Sequence, residues 1–164
     1  MTTDIIILTA NVALTLSVIV AIFFGMTQVK LANRDRKERL TLETLRTFET
    51  KEFAELVQFL NDTSFPETYE QFRPWDKDHK VHFVQLLQHM ESLGILLSGK
   101  LIDLDLVDKT LGAIVVASWQ KFKPVVLDMR GDHGDPFVAQ YFQWMAERLG
   151  DKKKQQQPRP AYAD

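Results

Sequence analysis

Ile5 to Met26 reads IIILTANVALTLSVIVAIFFGM, twenty-two residues without one ionisable side chain. As a helix the stretch rises about 33 Å, enough to cross a hydrocarbon core of roughly 30 Å. A helix apolar on every face needs either a surrounding protein core or lipid. In a chain of 164 residues there is little protein left to surround it, so the stretch is read as a transmembrane helix. A cleaved signal peptide would begin with basic residues, carry a shorter apolar run and end in a small-x-small site. Here Met1-Thr2-Thr3-Asp4 has no Lys or Arg, and Thr27-Gln28-Val29-Lys30 is a poor cleavage site. The expectation is an uncleaved anchor.

The flanks give an orientation. Lys30, Arg34, Arg36, Lys37 and Arg39 follow the span, and no basic side chain precedes it. By the positive-inside rule residues 1–4 lie outside and residue 27 onward lies in the cytoplasm. The same five cations suit contact with anionic membrane lipid. Within the span, Thr9, Ala13, Ser17, Ala21 and Gly25 recur at every fourth position. A ridge of small residues lets another helix approach closely, so self-association or packing on another membrane protein stands beside a plain anchor. Asn11 and Thr15 form a second, more polar ridge; an Asn in hydrocarbon is costly without a partner, a cost partly relieved near the outer leaflet.

Beyond the span the pattern is all-α: one N-terminal transmembrane helix followed by a small cytoplasmic bundle of about four helices. Residues 27–61 read as a basic juxtamembrane and amphipathic helix, with Leu42, Leu45, Phe48, Phe53, Leu56 and Phe59 at helical spacing. The spacing does not hold a heptad long enough for a coiled coil. Residues 62–77 are a connector with turn chemistry at Asn61-Asp62-Thr63-Ser64-Phe65-Pro66 and an aromatic cluster at Phe72-Arg73-Pro74-Trp75. Residues 78–150 form the helical domain. Asp76 or Asp78 caps its first helix, whose expected inner face is Val81, Val84, Leu87, Leu93 and Leu97, with Gly99 as a left-handed stop. Asp103 caps the next, with Leu106, Leu111, Ile114, Val115, Trp119 and Phe122 inward and a kink or early end expected at Pro124. Pro136 opens a last helix over 137–149, carrying Tyr141, Phe142, Trp144 and Met145. Residues 151–164 are too polar to fold and read as a disordered tail, its lysines solvated.

Composition removes several chemistries. There is no cysteine, hence no disulfide, thiol nucleophile or cysteine-ligated zinc. A net charge of −2 gives no reason to expect a nucleic-acid partner. His79, His82 and His89 share a predicted helix, and Glu91 and His133 are within imaginable reach of them. A Lys-rich helix start without clustered ligands is a poor zinc site, so solvated and half-buried histidines are expected and no metal. The Gly131–Asp135 loop lacks the alternating oxygen ligands and distal Glu of a calcium loop. No phosphate loop or nucleophile elbow appears, so neither a catalytic residue nor a cofactor is assigned.

The stretch from Val84 to Leu149 resembles a family of small bacterial membrane-anchored proteins, domain-of-unknown-function family 4760. The resemblance rests on Met90-Glu91, on Gly99-Lys100-Leu101-Ile102-Asp103 with Leu106-Val107, on Trp119, Pro124 and Arg130, and on Tyr141-Phe142-Gln143-Trp144-Met145-Ala146. It implies a helical fold and a bacterial inner-membrane location, and it brings no reaction with it. Gln143 departs from the acidic residue usual there. Glu91 and Arg130 fall on different helices of this stretch, and the expectation is a buried polar pair clamping them, with a ligand pocket as the alternative use.

The functional expectation is a non-catalytic single-pass protein whose cytoplasmic bundle binds another membrane or cytoplasmic protein, or itself. The alternative is a membrane-associated sensor or effector, in stress or phage defence, acting through its transmembrane helix. An enzyme built on Glu91, His89 or His133 is the third reading.

Overall fold

The computed structural model describes residues 2–131 and 134–155. The described residues are helical throughout, with α1 at Thr2–Arg46, α2 at Lys51–Asp62, α3 at Tyr69–Phe72, α4 at Lys77–Ser98, α5 at Leu104–Met129 and α6 at Gln140–Gln155. The chain divides into a helical arm up to Arg39 and a compact unit from Leu40 onward. The arm is the larger part of α1, a helix of 45 residues. Its apolar stretch has the length and composition of a membrane span, and none of that stretch is buried within the protein.

In the compact unit α6 packs against both α4 and α5, α2 against α4, and α3 against α5. Aromatic rings fill the centre: Phe83 of α4 stacks on Phe122 of α5 at 4.4 Å between centroids, and Trp119 meets Phe142 edge-on at 5.1 Å. Phe83, Phe122 and Phe142 are among the most fully buried side chains. Burying one such ring contributes roughly 1.5–3 kcal/mol, so this cluster is the main reason the helices converge.

Helix ends follow local chemistry. Thr50 caps α2 by accepting from Phe53 N–H at 3.2 Å. Asp76 accepts from Asp78 and His79 N–H at the start of α4, and Asp103 does the same for Asp105 and Leu106 at the start of α5. Thr41 at the end of α1 in turn accepts the N–H of Asp103 at 2.9 Å and is itself fully buried.

Several sequence expectations need correction. The helix expected over 27–61 is two helices, because α1 stops at Arg46 and Thr50 starts α2 afresh. On α4 the buried face is Phe83, Leu86, Met90, Leu93 and Leu97, while Val81 and Val84 are over 40% exposed. The larger side chains at 83, 86 and 90 took the core. Gly99 has right-handed dihedrals; Lys100, at φ 57°, occupies the left-handed stop. Lys100 N–H bonds to Leu97 O and Leu101 N–H to Leu96 O, the double closure of a Schellman turn. Pro124 neither ends α5 nor shortens it, since the helix continues to Met129. The last helix begins at Gln140 rather than Phe137, after a turn in which Ala139 sits at φ 56°. That helix continues through Gln155, so residues 151–155 are not tail; residues 156–164 lie outside the described residues.

Candidate functional site

The polar groups singled out in the sequence converge on the start of α6. Ala139, the residue before α6, has no side-chain acceptor for the unpaired N–H groups of the first helical turn. Glu91 supplies it from α4: Oε1 accepts from Tyr141 N–H at 3.2 Å and Oε2 from Phe142 N–H at 2.7 Å. A carboxylate there also meets the positive end of the helix dipole. One turn further along α4, Gly94 makes the close approach possible. A Cβ on Gly94 would sit 2.4 Å from the backbone oxygen of Tyr141.

Arg130 at the end of α5 reaches the same segment from the other side. Its Nε donates to Val138 O at 2.8 Å and its Nη1 to Gln143 Oε1 at 2.6 Å, while Nη2 is buried without a partner among the described residues. Gln143 Nε2 donates onward to Glu147 at 2.8 Å. Glu91 and Arg130 therefore do not pair with each other as expected. Each instead grips the 138–143 segment separately, because the carboxylate is engaged by two backbone donors. Gln143 gives this guanidinium a neutral acceptor. The arrangement ties three helices together.

Two further polar contacts do the same elsewhere. Lys152 of α6 reaches Asp105 and Asp108 of α5 at 2.6 and 3.1 Å. The hydrogen bond to Asp105, with Asp108 beside it, raises the ammonium above the ordinary lysine range. Lys121 of α5 donates to Leu60 O at the end of α2. Lys152, expected to be solvated in a tail, is instead held by two carboxylates, and the sequence carries no local signal of either lysine's partner.

The three described histidines lie against aromatic rings. His79 and His82 contact Phe59, at 5.7 and 5.3 Å between ring centroids, and His89 lies near Phe48 and Phe53. His79 Nδ1 is 2.5 Å from Asp76 Oδ2. The His79 backbone N–H, more than any other group, holds the Asp76 carboxyl below the ordinary aspartate range. Among the described residues no three His, Asp or Glu side chains gather as a metal-holding group. His133 lies outside the described residues. The shifts at Asp76 and Lys152 are thus accounted for by a helix cap and an interhelical ion pair, which also perturb ionisation without catalysis.

The compact unit carries an apolar groove of about 770 Å³ between the end of α1, α2 and α5. Leu45, Phe53, Val57, Leu111 and Ile114 line it, with Arg46, Glu49 and Thr110 also on its wall. Leu42, also on its wall, is 48% exposed. The sequence pattern marked the Leu42–Phe59 face as a packing stripe and did not show that part of it stays open.

On the arm, Thr9, Ala13, Ser17, Ala21 and Gly25 are all exposed along α1. Thr9 Oγ1 donates to Ile5 O and Ser17 Oγ to Ala13 O, each at 2.8 Å, so these hydroxyls are satisfied within the helix. Lys30, Arg34, Arg36 and Arg39 are exposed and Lys37 half-buried on the same uninterrupted helix.

No curated protein and no solved structure matches the chain. A family model described as "Domain of unknown function (DUF4760)" matches residues 11–149, from within the apolar stretch to the last buried leucine of α6. That match spans most of the 164 residues, and the chain belongs to the DUF4760 family.

Proposed function

We propose that this chain is a single-pass membrane protein, anchored by Ile5–Met26, whose helical unit works in the cytoplasm as a non-catalytic docking module for another protein. The observation that carries the anchor is the exposure of every described side chain of an uncharged stretch long enough to span a bilayer. In water, that much apolar surface would be covered. The five cations from Lys30 to Arg39 support a cytoplasmic placement for the helical unit beyond them.

The docking role is supported by the open groove beside Leu42, whose apolar wall suits two or three large side chains on one face of a partner's amphipathic helix. Arg46 and Glu49 beside it offer one charge of each sign to orient that helix. The polar contacts of the helical unit are consumed in holding its helices, which favours binding over chemistry.

A photo-crosslinker at Thr110, in full-length chain expressed in native membranes, tests this reading. The expected result is a discrete adduct with another protein that Leu42→Arg abolishes without changing thermal unfolding. An adduct pattern indifferent to Leu42→Arg, or no adduct, would remove the docking role.

A further inference from the structure

The apolar stretch contains four side chains able to form hydrogen bonds: Thr9, Asn11, Thr15 and Ser17. Three are satisfied by their own helix, with Thr9, Thr15 and Ser17 donating to Ile5, Asn11 and Ala13 carbonyls at 2.8 Å. The Asn11 carboxamide has no hydrogen bond among the described residues and is exposed. Asn11 lies six residues into the stretch, about 9 Å of helix rise from Ile5. At that depth in hydrocarbon neither water nor headgroup reaches it easily, and an unsatisfied amide is expensive.

The residues around it form a seam. Asn11, Thr15, Val18, Ile22, Gly25 and Val29 follow steps of four, three, four, three and four, the period of a left-handed helix pair. This seam shares Gly25 with the Thr9–Ala13–Ser17–Ala21–Gly25 ridge but otherwise differs from it, the ridge's uniform step of four suiting a right-handed crossing. Every copy of the chain inserts with the same orientation, so two copies meet in parallel and Asn11 meets Asn11 at the same depth. A carboxamide is both donor and acceptor, and a twofold pair satisfies it reciprocally.

We infer that two copies of this chain associate through the Asn11–Thr15–Val18–Ile22 face of α1, with the paired Asn11 carboxamides fixing the register. This rests on the membrane-anchor reading.

The chain has no cysteine, so single substitutions report proximity cleanly. The test takes full-length Thr15→Cys, Val18→Cys and Ile22→Cys beside Ala13→Cys, Ser17→Cys and Ala21→Cys, oxidised in carbonate-washed membranes. The seam variants are expected to give disulfide-linked dimer and the ridge variants little. Adding Asn11→Leu should weaken association roughly three- to thirtyfold, the range for one interhelical polar contact, and Asn11→Gln should largely keep it. Dimer strongest at the ridge positions, adducts of another mass from the seam, or membrane-retained chain that gives no dimer would each overturn the inference while leaving the anchor intact. Chain released by carbonate would overturn both.

Discussion

Glu91 of α4 accepts the backbone N–H of Phe142 at 2.7 Å and so caps a helix to which it does not belong. With Tyr141 N–H on its other oxygen, it serves two of the unpaired donors that Ala139 cannot serve. Glu91→Ala should therefore lower stability by about 2 kcal/mol, the scale of charge-assisted hydrogen bonds lost to partly buried donors. Thermal unfolding of the full-length chain in detergent micelles measures this. Glu91→Gln, which keeps an acceptor, should lose less, and equal losses in the two variants would argue against the cap.

Gly94 has a different reason to be small. Gly94→Ala gains about 1 kcal/mol of helix propensity but drives a methyl group into the Tyr141 backbone at 2.4 Å. Overpacking costs roughly 1–3 kcal/mol, and more where the obstacle is backbone, so a net loss of stability is expected. Gly150→Ala on α6 meets nothing within 4 Å and should instead stabilise by up to about 1 kcal/mol. The same melting experiment reads both, and two shifts of the same sign would contradict the packing described.

Lys100 holds a left-handed conformation, φ 57°, that side chains resist. Lys100→Gly should stabilise the chain by about 1 kcal/mol, because the penalty for that conformation is removed. A lower melting temperature would mean that the lysine side chain contributes more than its backbone costs.

Much of the fold is legible in the sequence. The long apolar helix, the caps at Asp76 and Asp103, and the two helices α4 and α5 that they open follow from runs of apolar residues and from acids placed just before them. The face of α4 is legible only at its end, where Leu93 and Leu97 are buried as expected, while Phe83, Leu86 and Met90 take the core in place of Val81 and Val84. Glu91's role is not, because a cap supplied by a different helix depends on tertiary approach and leaves no local pattern. The weak start of α6 at Val138-Ala139 is the available hint. The open groove is hidden for a related reason: periodicity marks an apolar face without saying how completely neighbours cover it.

The Asp76 cap makes the start of α4 sensitive to acid. Its carboxyl titrates below the ordinary aspartate range, chiefly because the His79 backbone N–H favours the charged form. A group with a depressed folded value contributes stability above its unfolded value, and that contribution fades as pH falls through the folded one. Amide exchange at Asp78 and His79 should accordingly accelerate, relative to the α4 interior, as the medium is acidified through that range. Asp76→Asn retains an acceptor without the charge and should flatten the response; an unchanged acid response would assign it to another group.

If residues 5–26 hold this chain in a bilayer, partition of the full-length protein after alkaline carbonate washing shows it most directly. Retention in the membrane pellet, lost when Ile5–Met26 is deleted, is the predicted result. Full-length chain in the wash supernatant would contradict the account.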